Sequence, residues 1–269
     1  MSTPAPPGSA IFVGAGDIAS CVSAGDEATA ALLDSIPGTV FTVGDNEYET
    51  GASKDFHDCY DPSWGRHKAR TRPVPGNHDY ETPGAAGYFG YFGAAAGDPE
   101  KGYYSFDLAD WHIIALNDNI DHSASSAQIR WLRADLAAHK EICTLAYWHA
   151  PRFSSGAEHG DAPDADSFWQ ALYDANADLV LSGHDHEYER FLPQTPNGDA
   201  DPARGIREFV VGTGGRSHYG LRRRETNSEV FNASTFGVLK LTLSPGTYTW
   251  QFIPIAGQTF TDSGSGVCH

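Results

Sequence analysis

Thr39-Val40-Phe41-Thr42-Val43-Gly44-Asp45-Asn46-Glu47-Tyr48 begins as a β-branched apolar run and breaks at once into a glycine followed by polar residues. Such a run suits a buried strand, and the glycine lets the chain leave it sharply. The arrangement recurs. Ile11-Phe12-Val13-Gly14-Ala15 leads to Gly16-Asp17, and Arg72-Pro73-Val74-Pro75 leads to Gly76-Asn77-His78-Asp79. The strand read over 142–148 ends at His149-Ala150-Pro151, and Leu179-Val180-Leu181 ends at Gly183-His184-Asp185-His186. In open α/β sheets ligands bind beyond the carboxyl ends of the strands, so these exits aim their polar loops at one place. Asp, Asn, His and Tyr are hard-to-borderline metal donors. His184 and His186 alternate along the chain and project to one side of an extended segment. A single loop Asp is usually a turn residue, and a single His is usually structural. The full ordered series, each member after a strand, is hard to reach by chance.

Between these strands, 26–36 has helical periodicity that Pro37-Gly38 stops. The stretches 103–108 and 111–116 read as a hairpin about Ala109-Asp110. An amphipathic helix is expected over 125–139, with Ile129, Leu132 and Leu136 on one face, and a second helix over 168–175. Strands are expected over 208–211, 236–243 and 247–254, separated by Gly-rich turns. Strand and helix alternate over the first two thirds and strand dominates the rest, which predicts a layered α/β sandwich. No linker, repeat or low-complexity segment interrupts it. The expectation is therefore a single domain over 1–269, with a flexible start at 1–10.

The 269 residues suffice for one sizeable core, and 40% hydrophobic with 20% charged residues is a globular composition. A net charge of -17, from 18 basic and 35 acidic residues, disfavours nucleic acid and anionic membranes as partners. It also repels an anionic substrate, so a phosphate site must bring its own positive charge, which bound metal would supply. No apolar run is long enough for a membrane helix. The N-terminal Met1-Ser2-Thr3-Pro4-Ala5-Pro6-Pro7 lacks the basic and apolar regions of a signal peptide as written. Of the four cysteines, none forms a CxxC, which argues against a zinc-thiolate site. Cys21 and Cys59 both follow motif loops expected to lie near each other and are expected to pair. Cys143 pairs with Cys268 or stays free. The even count favours an oxidising compartment, hence a secreted or extracytoplasmic protein.

With these motifs quoted, the chain resembles the calcineurin-like metallophosphoesterases. That superfamily shows, in order, DxH, GDxx[D/Y], GNH[D/E], an isolated His and GHxH, and the resemblance runs from Asp17 to His186. Val211-Gly212-Thr213-Gly214-Gly215 is similar to the late Gly-rich loop of the family. The first motif here is Asp17-Ile18-Ala19, without its His, while the second ends in Tyr48. That paired loss and gain resembles the purple acid phosphatases, although those usually carry DxG. The chain has no room for the extra N-terminal β domain of the plant-type enzymes and is similar to the small single-domain type.

The resemblance implies a four-layer α/β/β/α sandwich, two mixed sheets flanked by helices, with a dinuclear site at the strand C-terminal ends. It implies Asp17, Asp45, Tyr48 and His186 at a first metal and Asp45, Asn77, His149 and His184 at a second, with Asp45 bridging. A phenolate donor implies Fe(III) at the Tyr48 site, the source of the family's colour. Divalent Fe, Zn or Mn is implied at the second site. The implied reaction is hydrolysis of a small-molecule phosphomonoester by a metal-bound hydroxide, acid phosphatase-like. A histidine suits protonation of the leaving group. His78, with Asp79 as a possible orienting carboxylate, is one candidate. His159 is the other, in Ser154-Ser155-Gly156-Ala157-Glu158-His159-Gly160, where Glu158 would orient it or raise its pKa. The alternative is a phosphodiesterase of the same fold acting on cyclic nucleotides or phospholipid head groups. His57, His67, His112, His122, His139, His218 and His269 are read as structural or surface residues, with His218 near the Gly-rich loop. Arg222-Arg223-Arg224 is read as a solvated turn.

Overall fold

In the computed structural model, which describes residues 6–139 and 143–269, the apolar runs assemble into two mixed sheets. The first has the strand order Ser263–Val267, Thr247–Pro254, Gly237–Ser244, Ala10–Ala15, Thr39–Val43, Thr71–Val74, parallel among the last three. The second runs Ser228–Asn232, Tyr188–Phe191, Arg207–Val211, Leu179–Ser182, Cys143–Tyr147, Trp111–Ala115, Tyr104–Leu108. Its four strands from Arg207–Val211 to Trp111–Ala115 are parallel. A short parallel pair, Ala19–Ser20 with Glu47–Tyr48, extends two of the motif loops.

Period-two alternation explains the layering. Leu145, Tyr147, Leu179, Leu181, Phe209 and Val211 join one apolar cluster with Phe12, Phe41 and Leu239. Phe12 lies 4.8 Å from Phe41 on its own sheet and 5.7 Å from Tyr147 on the other, ring centre to ring centre. The intervening residues Ala146, Val180 and Val210 face the other way, onto helix residues Ile129, Leu132, Phe168, Trp169 and Leu172. Helices thus cover this sheet with the faces that their sequences predict. At the other sheet Arg70 caps the helix Gly25–Leu33, which has no basic residue in its last turn, by donating to Leu33 O (2.7 Å), Ile36 O (3.0 Å) and Gly38 O (2.8 Å).

The helix expected over 26–36 ends at Leu33, because Ser35 and Ile36 turn back through bonds to Leu32 O and Leu33 O, and Pro37 restricts Ile36. The helix expected over 125–139 spans Ala127–Ala138, with Ser126 Oγ capping Ile129 N at 3.1 Å. The hairpin forms as expected, Tyr104–Leu108 against Trp111–Ala115. Residue 142 of the strand expected over 142–148 lies outside the described residues, as do residues 1–5 of the start expected to be flexible. Ala10 is already in the first strand. Cys21 pairs with Cys59, and Cys143 pairs with Cys268.

Candidate metal centre

The loops that leave the strands reverse so tightly that Asp17, Asp45 and His184 adopt left-handed backbone, at φ 60°, 47° and 66°. Non-glycine residues adopt this conformation at a cost, and here the neighbouring loops hold it. Asp17 N donates to Gly44 O (3.1 Å), Ile18 N to Asp45 O (3.0 Å) and His184 N to Asp17 Oδ2 (3.0 Å). A Cβ at Gly183 would stand 2.6 Å from Asp17 Oδ2, so glycine is what lets the His184 loop come this close.

All seven expected donor side chains meet in one cluster. The Tyr48 phenol oxygen lies 2.8 Å from Asp17 Oδ1, 2.8 Å from Asp45 Oδ2 and 3.0 Å from His186 Nε2. On the other side of Asp45, His149 Nε2 is 3.3 Å from Asp45 Oδ2, 3.1 Å from Asn77 Oδ1 and 3.1 Å from His184 Nδ1. One donor atom each from Asp45, His149 and His184 lies within 4.8 Å of the others. Asp45 therefore touches both halves of the cluster.

The cluster is short of protons. His149 Nδ1 donates to Val43 O at 2.8 Å. Burial opposes its charge, but Asp45 outweighs that and raises its pKa well above the usual value, so without metal its Nε2 proton faces Asn77 Oδ1, Asp45 Oδ2 and His184 Nδ1 together. Burial, aided by the charge of His149, drives His184 down to about 2, which keeps its ring neutral. Burial, then Asp17 and Asp45, pushes the Tyr48 phenol well above its usual value, so its single proton faces several acceptors. Buried acceptors gathered in this way call for positive charge among them. Without metal the His149 proton supplies part of it, and the donor set fits cations that take its place. His149 on the Val43 carbonyl, and His186 Nδ1 at 2.7 Å from Ser217 Oγ, have the orienting bonds that ligand histidines carry.

The expected catalytic residues are placed differently from one another. His78 lies beside the cluster: its backbone N donates to Asp45 Oδ1 (2.8 Å), and its ring centre is 4.4 Å from that of Tyr48. The expectation that Asp79 orients His78 is corrected. His78 Nδ1 donates to the Glu49 carbonyl at 2.6 Å. Buried Asp79 instead accepts on Oδ2 from Gly76 N (2.9 Å), Asn46 N (3.2 Å) and Asn46 Nδ2 (2.9 Å), tying two motif loops together. Burial, then the charge of Asp45, pushes Asp79 up to about 7. His159 is exposed and stacks on His184 with ring centres 3.8 Å apart. Glu158 is exposed beside it.

Other residues at the cluster have no motif to reveal them. Tyr219 stacks on His186 at 4.0 Å, and Arg216 lies over the Tyr48 ring at 5.3 Å while pairing with Glu49. Both follow the Gly-rich loop 212–215, the one sequence signal that pointed here. Asp118 accepts from Ala150 N at 2.6 Å. His122, read as structural or surface, lines a cleft of about 160 Å³ together with Asn77, Asp118, His149 and His184. His218 stacks on Phe236 at 4.0 Å.

Comparison with known proteins agrees with this geometry. Purple acid phosphatase 15 of Arabidopsis thaliana is 30% identical over 220 residues, covering 68% of this chain and 41% of that protein. Purple acid phosphatase 21 of the same plant is 36% identical over 143 residues, covering 50% of this chain and 32% of that protein. The chain thus spans less than half of the length of these relatives. The structure of a purple acid phosphatase from yellow lupin (Lupinus luteus) seeds superposes with a TM-score of 0.74 at 20% identity, over 97% of this chain and 55% of that one, and so shares the fold. The calcineurin-like phosphoesterase family model matches residues 12–188, which span the five motif loops, and the chain belongs to that family.

Proposed function

We propose that this protein is a dinuclear-metal phosphomonoesterase of the purple acid phosphatase type. The observation that carries the reading is the contact of the Tyr48 phenol with Asp17, Asp45 and His186, in a chain whose Ala19 brings no donor to the first motif. Asp17, Asp45, Tyr48 and His186 would hold one metal, Fe(III) by the preference of a phenolate for a hard trivalent ion. Asp45, Asn77, His149 and His184 would hold the second, a divalent Fe, Zn or Mn. When bound, the pair supplies positive charge for the phosphate oxygens and a nucleophile at mild pH.

The chain's own residues do the rest. Asp45 bridges the two halves, and His149 and His186 are fixed by Val43 O and Ser217. His78, held through Nδ1 by the Glu49 carbonyl, keeps Nε2 available as a proton donor to the leaving oxygen. His159, stacked on His184, is the other donor at the mouth. The two disulfides support an oxidising, extracytoplasmic setting.

Elemental analysis with paired assays tests the reading. It expects two metals per chain, at least one of them iron, and faster hydrolysis of p-nitrophenyl phosphate than of bis-p-nitrophenyl phosphate. Two metals without iron, or preference for the diester, would replace it with the phosphodiesterase. Less than one metal per chain after reconstitution would remove it.

A further inference from the structure

The three arginines 222–224 are not a loose turn. Their segment is pinned to the loop that carries His159. Ala157 N donates to Gly220 O (2.8 Å), Arg222 N to Ser155 O (2.9 Å) and Glu225 N to Ser155 Oγ (2.9 Å), with a bridge between Gly156 and Leu221. Backbone pairing on this scale fixes where the arginine stems begin. Arg224 is turned aside, donating to Ser228 Oγ (3.1 Å) and Ser228 O (3.2 Å). Arg223 pairs with Glu225 at 3.3 Å. Arg222 has no ion pair among the described residues. Its Nη1 lies 3.6 Å from the point where a Cβ on Gly160 would stand, so its guanidinium sits against the residue that follows His159.

His159, Gly160, Arg222 and Arg223 line one open cleft of about 370 Å³, shared with Ser154, Asp161 and Glu225. The two acids are engaged elsewhere: Asp161 Oδ1 accepts from Ser154 N at 2.8 Å, and Glu225 meets Arg223. The His159 ring stands between this cleft and the cluster, since on its far side it meets the stacked ring of His184 at 3.8 Å and the ring of Tyr219 at 5.6 Å, centre to centre. A chain with 35 acidic and 18 basic residues has thus set an unpaired guanidinium one imidazole away from its metal centre. A guanidinium recognises phosphate through parallel N–H donors.

We propose that Arg222, with Arg223 and His159 beside it, forms a subsite for a second phosphate group on the substrate, so that the enzyme selects phosphomonoesters whose leaving part is itself phosphorylated. This rests on the phosphomonoesterase reading above and narrows its substrate class.

The test compares metal-loaded wild type, Arg222→Ala and the control Arg224→Ala on fructose 6-phosphate and fructose 1,6-bisphosphate. Calorimetric affinities for both sugars are measured in parallel. Wild type is expected to favour the bisphosphate in kcat/KM, and Arg222→Ala to lower the ratio about tenfold, mainly through KM, as loss of a charged hydrogen bond does. Arg224→Ala is expected to keep the ratio. A ratio that Arg222→Ala leaves unchanged, or that both variants lower equally, overturns the subsite. If neither sugar phosphate is hydrolysed, p-nitrophenyl phosphate run alongside separates the causes: its hydrolysis keeps the phosphomonoesterase reading, its inertness removes that reading, and in both cases calorimetry decides the subsite. A selective loss of bisphosphate affinity in Arg222→Ala supports it, and equal affinities overturn it.

Discussion

Tyr48 and Asp45 meet through a phenol and a carboxylate oxygen 2.8 Å apart, although both belong to one loop of the chain. The left-handed backbone at Asp45 and the pairing of Glu47–Tyr48 with Ala19–Ser20 make this return possible. Burial and the flanking carboxylates push the phenol well up, so the contact favours the neutral phenol until a cation enters. Tyr48→Phe keeps a ring against His78 and removes only the donor oxygen. On the proposed reading it abolishes the visible absorption of the iron-loaded protein and weakens the first metal by more than the roughly 10–100-fold that loss of an outer-shell partner costs. Absorption spectra and elemental analysis of the variant check this, and a protein that keeps its colour refutes the assignment of Tyr48.

His78 has a fixed tautomer by its bond to the Glu49 carbonyl, because a carbonyl only accepts. Its other nitrogen is free for a proton. His78→Ala is expected to lower kcat by about 10²–10³ while both metals stay bound, as removal of a general acid does. Steady-state kinetics with metal analysis on the same sample separates this from a ligand role, which would show as lost metal.

The residues that meet in the candidate site are legible in the sequence because a buried strand is a short apolar run and its exit is a glycine followed by side chains of metal-binding type. The residues that orient them are not. Val43 and Glu49 act through carbonyls, which every residue has, and Ser217 looks like any loop serine. The same holds for the fold. The helical turns Phe56–Tyr60 and Ala86–Phe92 are too short for a period to emerge. What holds them is aromatic packing between them, Phe56, Tyr60 and Tyr88 all lying within 6 Å of Phe92, ring centre to ring centre. The edge strand Ser263–Val267 reads Ser-Gly-Ser-Gly-Val, a poor strand by propensity. It forms because Gly264 and Gly266 leave room for the rings of Trp250 and Tyr248 on the neighbouring strand.

Asp79 illustrates how a motif residue changes role once its partners are known. Its Oδ2 accepts the amides of Gly76 and Asn46 and the Asn46 side chain. Asp79→Ala leaves these buried donors unsatisfied and is expected to cost about 3 kcal/mol of stability. Asp79→Asn retains an acceptor oxygen at the same place and is expected to lose less than half of that. Thermal melts of both variants decide it. If instead the two melt alike and differ from wild type only in kcat, Asp79 acts in catalysis and the structural role is wrong.

Far from the metal centre, His112 is buried between two carboxylates, with Nδ1 3.0 Å from Asp107 Oδ1 and Nε2 2.7 Å from Asp135 Oδ2, and its ring stacks on His139 at 4.0 Å. It joins the hairpin to the helix Ala127–Ala138. Burial opposes its charge, but the bonds to Asp135 and Asp107 outweigh that and raise its pKa. Burial likewise opposes the charge of Asp135, and the bond to His112 outweighs it and lowers the pKa. A raised histidine stabilises fully below its unfolded value and loses this as pH rises through its folded value. A lowered carboxylate stabilises above its unfolded value and loses this as pH falls through its folded value. The clamp is therefore complete between roughly pH 4 and 6.5. His112→Ala is expected to destabilise by about 3 kcal/mol there, since it leaves Asp135 buried without its partner. The difference in Tm between variant and wild type should shrink above neutral pH. Melting curves from pH 4 to 9 check this, and a difference that does not vary with pH means that His112 packs without carrying charge.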